Sequence, residues 1–276
     1  MLQPVSIIAV DSVTKLTHEH TGLVVVSGSH GGLYAAYLAA AANVRAVILN
    51  DAGIGLEDAG IAGVRALETH GMAAAAVSVT TARIGDARDS LENGELSYVN
   101  AVAARLGCRI GQTCRTAADR LRLAPEHRVP DAGMSEGRYR LRTDPSCASV
   151  WGLDSASLVA PEDRGAILVI GSHGGVPGGD PANALRVDAG AAFFNDAGVG
   201  KDCAGLSRLP MLDHRRIPAA AVAAASARIG DAKSSWETGI VSFVNHTAAA
   251  LGVEPGSPVQ LCVARLIGAI AQIDER

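Results

Sequence analysis

The chain writes the same polar phrases twice, in the same order. Gly28-Ser29-His30-Gly31-Gly32 returns as Gly171-Ser172-His173-Gly174-Gly175. Asn50-Asp51-Ala52-Gly53-Ile54-Gly55 returns as Asn195-Asp196-Ala197-Gly198-Val199-Gly200, and Ala82-Arg83-Ile84-Gly85-Asp86-Ala87 as Ala227-Arg228-Ile229-Gly230-Asp231-Ala232. The flanks agree as well: Asp11-Ser12 with Asp154-Ser155, Val99-Asn100 with Val244-Asn245, Leu106-Gly107 with Leu251-Gly252. A repeat of this kind restricts the fold to two units on one supersecondary plan. It divides the chain into a first repeat over 1–123, a connector or surface excursion over 124–148 and a second repeat over 149–276. Each repeat is domain-sized.

Within a repeat, short apolar runs alternate with helix-forming stretches. Ser6–Val10 reads as a strand. Leu23–Val26 and Ala46–Leu49 are continuous apolar runs of the kind expected for strands buried on both faces, and Ala74–Val79 is a third. Leu33–Ala42 and Asp58–His70 read as helices, the second closed by Gly71. Residues 82–94 read as a polar loop and 95–106 as a helix closed by Gly107. In the second repeat Ala166–Ile170, Ala191–Phe194 and Ala219–Ala224 take the strand positions. Strands alternating with helices through short connections imply parallel βαβ units. The expectation is an α/β protein, internally duplicated: two similar parallel-sheet lobes of flavodoxin- or Rossmann-like type, related by a pseudo-twofold axis. A chain of 276 residues builds a core without disulfide or metal staples. With 48% hydrophobic but only 3% aromatic residues, that core is made of Ala, Val, Leu and Ile, which lets helix and sheet approach closely.

Charge and cysteine content narrow the partners. A net charge of −4 argues against a nucleic-acid surface. The arginines between 115 and 142 are interleaved with Asp119, Glu126, Asp131 and Glu136, which suits a solvated connector. The 5 cysteines, Cys147 among them, are odd in number and lack Cys-x-x-Cys spacing, as expected for free thiols in a reducing cytoplasm. No leader pattern opens the chain, and no apolar run reaches the ~18 residues of a membrane span. Neither a Walker A string nor Gly-x-Gly-x-x-Gly occurs, so no nucleotide cofactor is expected. Ala-rich helix faces point to a homo-oligomer.

Ligands of open parallel sheets bind outside the carboxyl ends of the strands, and all three repeated phrases leave such ends. The glycines of the first phrase, Gly31 and Gly32 with Gly174 and Gly175, suit backbone N–H groups turned toward an anion. Ser29 and Ser172 read as nucleophiles or oxyanion binders, although Ser27 and Ile170 stand where a nucleophile elbow has glycine. The alternative is Ser as a helix cap and His30 or His173 as a loop brace. Asp51 and Asp196 read as bases or as partners of His30 and His173, beside Asn50 and Asn195; the alternative is an Asx turn. Arg83 and Arg228 suit a clamp on a carboxylate, with Asp86 and Asp231 in the same loops as orienting or catalytic acids. Lys201 stands beside the second Asn-Asp phrase as a further substrate contact. No cofactor is assigned; His30, Asp51 and Asp86 form the set a divalent metal would use, without recognisable ligand spacing. The function these residues suggest is a cytoplasmic hydrolase or lyase acting on a compact carboxylate- or amide-bearing metabolite. Two alternatives stand beside it. One is a non-catalytic two-lobed protein that binds an anion or metabolite. The other is a structural protein whose working surface is 124–148.

Overall fold

The computed structural model describes residues 5–126, 133–142 and 148–274, with side chains to 269. Arg128, Asp131 and Cys147 lie outside the described residues. The chain forms two compact units. The first comprises residues 1–135 with the segments 177–179 and 199–204, and the second takes the rest.

In the first unit the order is β1 (Ile7–Val10), β2 (Val24–His30), α1 (Leu33–Ala41), β3 (Ala46–Asn50), α2 (Ala62–Thr69), β4 (Ala73–Val77), α3 (Ala87–Asn93), β5 (Leu96–Val99), α4 (Ala101–Arg105) and α5 (Cys114–Leu121). The five strands lie side by side in chain order. β1 to β4 are parallel and β5 is antiparallel. In the second unit the order is β6 (Arg138–Arg142), β7 (Val150–Leu153), β8 (Ile167–His173), β9 (Ala191–Asn195), α6 (Arg208–His214), β10 (Ala219–Val222), α7 (Ala232–Glu237), β11 (Val241–Val244), α8 (His246–Ala250) and α9 (Val259–Asp274). Its six strands also lie in chain order, with β7 to β10 parallel and both edges, β6 and β11, antiparallel. The architecture is mixed α/β with two mostly parallel sheets, and nine α-helices among the described residues.

The central strands are apolar up to their carboxyl ends because helices cover both faces. Side chains alternate across a strand, so Val24, Val26, Ile48, Ala75 and Val77 meet Ala117, Ala118 and Leu121 of α5 on one face. Val25, Val47, Leu49, Ala74 and Ala76 meet Ala35, Ala36, Ala39, Val64 and Leu67 of α1 and α2 on the other. The second sheet is divided in the same way: Leu168, Ile170 and Phe194 face α6, while Ile167, Val169 and Phe193 face α9. Small residues bring the layers close. A Cβ on Gly63 would lie 2.2 Å from the carbonyl oxygen of Gly32, so α2 crosses the start of α1 almost backbone to backbone.

Several elements differ from the sequence expectations. Residues 95–106 are not one helix. Leu96–Val99 pairs antiparallel with β4, and Asn100 starts a new helix by accepting from the Ala103 amide at 2.9 Å. Asn100 is wholly buried; its side chain also bonds the Ala74 amide and the carbonyls of Met72 and Val64, holding α4 against the sheet. The stretch 82–94 is not all loop, because Asp86 caps α3 through the Asp89 amide at 2.8 Å. The connector contributes β6 at a sheet edge. The sheets are therefore not purely parallel. After Gly175 the second repeat has no counterpart of α1. Pro177 and Pro181 each open a short 3₁₀ turn, since proline cannot donate to a continuing helix.

Candidate functional site

The repeated phrases do gather at the carboxyl edge of the parallel strands. Register pairs His30 with Asn50 across β2 and β3, and His173 with Asn195 across β8 and β9. The loop carrying Arg83 and Asp86 packs on the first phrase: the Gly85 amide donates to the Gly28 carbonyl at 2.8 Å, and Gly230 does the same to Gly171 at 2.8 Å. This contact explains the leading glycines. A Cβ on Gly28 would lie 2.6 Å from the Asp86 nitrogen, and one on Gly171 would lie 2.5 Å from that of Asp231. Gly31 and Gly174 are tight for a second reason, since a Cβ there would lie 2.6 Å from the Gly60 carbonyl and 2.4 Å from the Gly205 carbonyl. Gly32, the residue before α1, donates its amide to His30 Nδ1 at 3.1 Å. Gly175 is buried. Backbone contact between loops accounts for Gly28, Gly31, Gly171 and Gly174 without a bound anion.

Neither serine is part of a relay. Ser29 Oγ is buried and accepts from the Val13 amide at 3.1 Å, and Ser172 Oγ accepts from the Ala156 amide at 3.0 Å. These bonds tie each first phrase to the turn after Asp11-Ser12 or Asp154-Ser155. Among the described residues, neither Ser29 nor Asp51 bonds the His30 imidazole, and neither Ser172 nor Asp196 bonds that of His173. Ser29 does not cap α1, whose N-cap is Gly32. His30 Nδ1 accepts from an amide, which places the ring proton on Nε2. Burial lowers its pKa to about 4, so the imidazole is neutral at pH 7. His173 is buried at the matched strand end.

The Asn-Asp phrases build a turn of unusual backbone. Ala52, Gly53, Ile54 and Gly55 have φ of 48°, 72°, 65° and 71°, and Ala197, Gly198, Val199 and Gly200 have 49°, 71°, 65° and 71°. Left-handed geometry disfavours non-glycine residues by about 1–2 kcal/mol each, and β-branched Ile54 and Val199 are the most adverse. The side chains hold the turn in place. Asn50 accepts from the Ala52 amide at 2.9 Å and donates to the Ala82 carbonyl at 3.2 Å, and Asn195 makes the same pair of bonds to Ala197 and Ala227. Asp51 Oδ1 accepts from the Gly53 and Val79 amides, both at 2.9 Å, and Asp196 Oδ1 from Gly198 and Ala224, both at 2.9 Å. The two carboxylates differ in their second oxygen. Asp196 Oδ2 accepts from Ser242 Oγ at 2.8 Å. Asp51 Oδ2 has no hydrogen-bond partner among the described residues: Ser97, at the position of Ser242, bonds the Ala76 carbonyl just as Ser242 bonds that of Ala221, but makes no bond to the carboxylate. Asp51 is 4% exposed.

The charged loop residues bind one another. Arg83 reaches Asp86 Oδ2 at 3.2 Å, Asp89 Oδ1 at 3.2 Å and Asp202 Oδ2 at 2.9 Å. Lys201 belongs to the first unit, where its ammonium lies 2.8 Å from Asp89. Asp89 is buried, and despite the desolvation that opposes ionisation, its bonds to Lys201, the Arg83 amide and Asn93 hold its pKa below the usual carboxylate range. Arg228 pairs with Asp231 at 2.9 Å. Neither arginine is held ready as an uncompensated carboxylate clamp. Sequence reasoning passed over Asp89, Ser97 and Ser242; their only signal was that the matched positions differ in partner or type, Asp89 against Ser234. Among the described residues, no three His, Cys, Asp or Glu side chains are grouped to hold a metal ion, and no helix is long and apolar enough to cross a membrane. Comparison with protein families, curated proteins and solved structures finds no match to the chain.

Proposed function

We propose that the protein is an enzyme performing general acid–base chemistry on a compact carboxylate- or amide-bearing metabolite, a lyase before a hydrolase, with Asp51 as its base. The observation that carries this reading is the Asp51 carboxylate. It is buried at the end of β3, held in one orientation by two amides on Oδ1, and has no partner on Oδ2 among the described residues. A carboxylate held in one orientation with one oxygen unpaired is what proton abstraction requires. His30 adds a neutral imidazole one strand away. Nucleophilic attack by Ser29 is less well supported, because no base bonds its hydroxyl. Asp196 has its second oxygen on Ser242 and serves the fold of its own unit.

The test is a panel of small carboxylates and amides incubated with the whole protein, with products followed by NMR. Turnover is expected, and Asp51→Asn is expected to lower it by about 10²–10⁴-fold while Asp196→Asn changes the rate less than tenfold. Equal rates in Asp51→Asn and the wild type would remove Asp51 from the chemistry. Saturable binding without any product would favour the non-catalytic anion- or metabolite-binding protein, a reading that the amide-bonded serines support.

Three further proposals accompany this one. The matched hydrogen bonds of the repeated phrases support an origin by duplication, with lobes on one plan. The buried free thiols of Cys108, Cys114 and Cys262 support a reducing, cytoplasmic setting. The exposed Ile110, Leu123, Phe243 and Leu261 support self-association.

A further inference from the structure

Arg208, the first residue of α6, is 4% exposed and has no carboxylate partner among the described residues. Its matched position in the first unit is Gly63. The Gly63 amide donates to the Gly31 carbonyl at 2.8 Å, and the Arg208 amide donates to the Gly174 carbonyl at 2.9 Å. Gly63 has no room for a side chain, since a Cβ would also lie 2.6 Å from that of Ala36 on α1. The second unit has 3₁₀ turns where the first has α1, and a guanidinium enters.

Only one edge of that guanidinium is satisfied. Nη1 donates to the carbonyls of Asn183, at 2.8 Å, and Ala184. The face of the group lies over the Phe194 ring at 5.0 Å. Nε is buried without an acceptor, and Nη2 has none among the described residues. Nε–H and Nη2–H point the same way and together form the fork that arginine offers to a carboxylate or phosphate. Burial lowers the Arg208 pKa to about 10, which leaves the group charged at neutral pH. A buried cation with only neutral acceptors on one edge, and its bidentate edge unpaired, lacks an anion. Arg83 is the contrast: it is surrounded by Asp86, Asp89 and Asp202 and lacks nothing.

We propose that the second unit binds a small oxyanion, a carboxylate or phosphate group of a metabolite, on the Nε–Nη2 edge of Arg208 beside the Gly174-Gly175 turn. The proposal does not rest on Asp51 and stands whether or not the acid–base reading does. The test needs no turnover. Acetate and inorganic phosphate are titrated into the whole protein at constant ionic strength, with binding read by calorimetry and by the ¹⁵Nε–¹H resonance of the buried arginine, which slow hydrogen exchange sets apart from exposed ones. A saturable shift of that resonance is expected with at least one anion. Acetate alone identifies a carboxylate, phosphate alone a phosphate, and both a general oxyanion site. Arg208→Met should weaken binding roughly 30-fold or more, the low end for removing one member of a buried charged pair. Arg208→Lys, which keeps the charge and loses the fork, should weaken it as well. No saturable shift in the wild type, or unchanged affinity in Arg208→Met or Arg208→Lys, overturns the proposal. If either variant fails to fold, the wild-type titration decides.

Discussion

Replacing Asp89 by serine and Lys201 by leucine, singly and together, tests whether the charged cluster of the first unit is a coupled structure. Asp89 has a side chain only 2% exposed, whereas Lys201 and Arg83 are 26% and 40% exposed. Removing one partner of a fully buried ion pair costs about 3–5 kcal/mol. Here both cations reach water, which lowers the expected loss for Asp89→Ser to about 2–3 kcal/mol. Serine retains one bond: Ser234 accepts from the Arg228 amide at 3.0 Å, as Asp89 does from the Arg83 amide at 2.7 Å. Lys201→Leu leaves Asp89 with Arg83 and Asn93 and should cost about 1–2 kcal/mol. Once Asp89 is gone, Lys201 has no buried carboxylate to meet, so the double variant should be more stable than the sum of the singles by at least ~1 kcal/mol. The Asp89 pKa is lowered in the folded state, so its contribution is present above the ordinary aspartate range and is lost as pH falls through the lowered value. The cycle is therefore run at pH 7. Urea unfolding should be followed by far-UV circular dichroism, because Trp151 and Trp236 both lie in the second unit. Additivity within about 0.5 kcal/mol would refute the coupling.

Two further outcomes are expected. His30 has a pKa of about 4 when folded against 6.5 ordinarily, so the unfolded chain takes up a proton first on acidification. Stability linked to this residue is complete above pH 6.5, declines as pH falls toward 4 and levels off below, a loss of up to about 3 kcal/mol that His30→Gln should abolish; equal pH profiles for the two proteins would sink the argument. Asn100→Ala removes bonds to Ala74, Ala103, Met72 and Val64 and should cost about 3 kcal/mol in chemical unfolding, with a loss below 1 kcal/mol contradicting the bracing role.

Where one physical signal dominated a segment, the fold was legible in the sequence. Val24-Val25-Val26 and Val47-Ile48-Leu49 can only be strands buried on both faces, and Gly71, at φ 70°, does close α2. Segments carrying two signals were misread. Leu96–Val99 sits next to Ala101–Arg105, and helix propensity summed over both concealed that Asn100 separates an edge strand from a cap. Charge in the connector concealed β6, where Arg138 places its guanidinium 4.6 Å from the Trp151 ring and pairs with buried Asp163. At the site, residue type was visible but the partner was not. Ser29, Asn50 and Asp51 look like catalytic side chains in one dimension, yet Ser29 and Asp51 bind the amides of Val13 and Val79, brought close by neighbouring strands, and Asn50 binds the Ala52 amide of its own turn.

The strings shared by both units make the same backbone bonds in both, so the likeness is accounted for by the loops they build. Ser29 and Ser172 accept one amide each; Asn50 and Asn195 make identical pairs of bonds; Asp86 and Asp231 each cap a helix. Shared identity therefore reports scaffold here. The informative positions are those where the scaffold is held constant and one atom's surroundings change. Ser242 bonds the second oxygen of Asp196, while Ser97, with the same carbonyl contact, makes no bond to that of Asp51. Arg208 stands where Gly63 leaves no room. On the present reading, a variant that redirects a hydroxyl onto Asp51 Oδ2 loses turnover without losing stability.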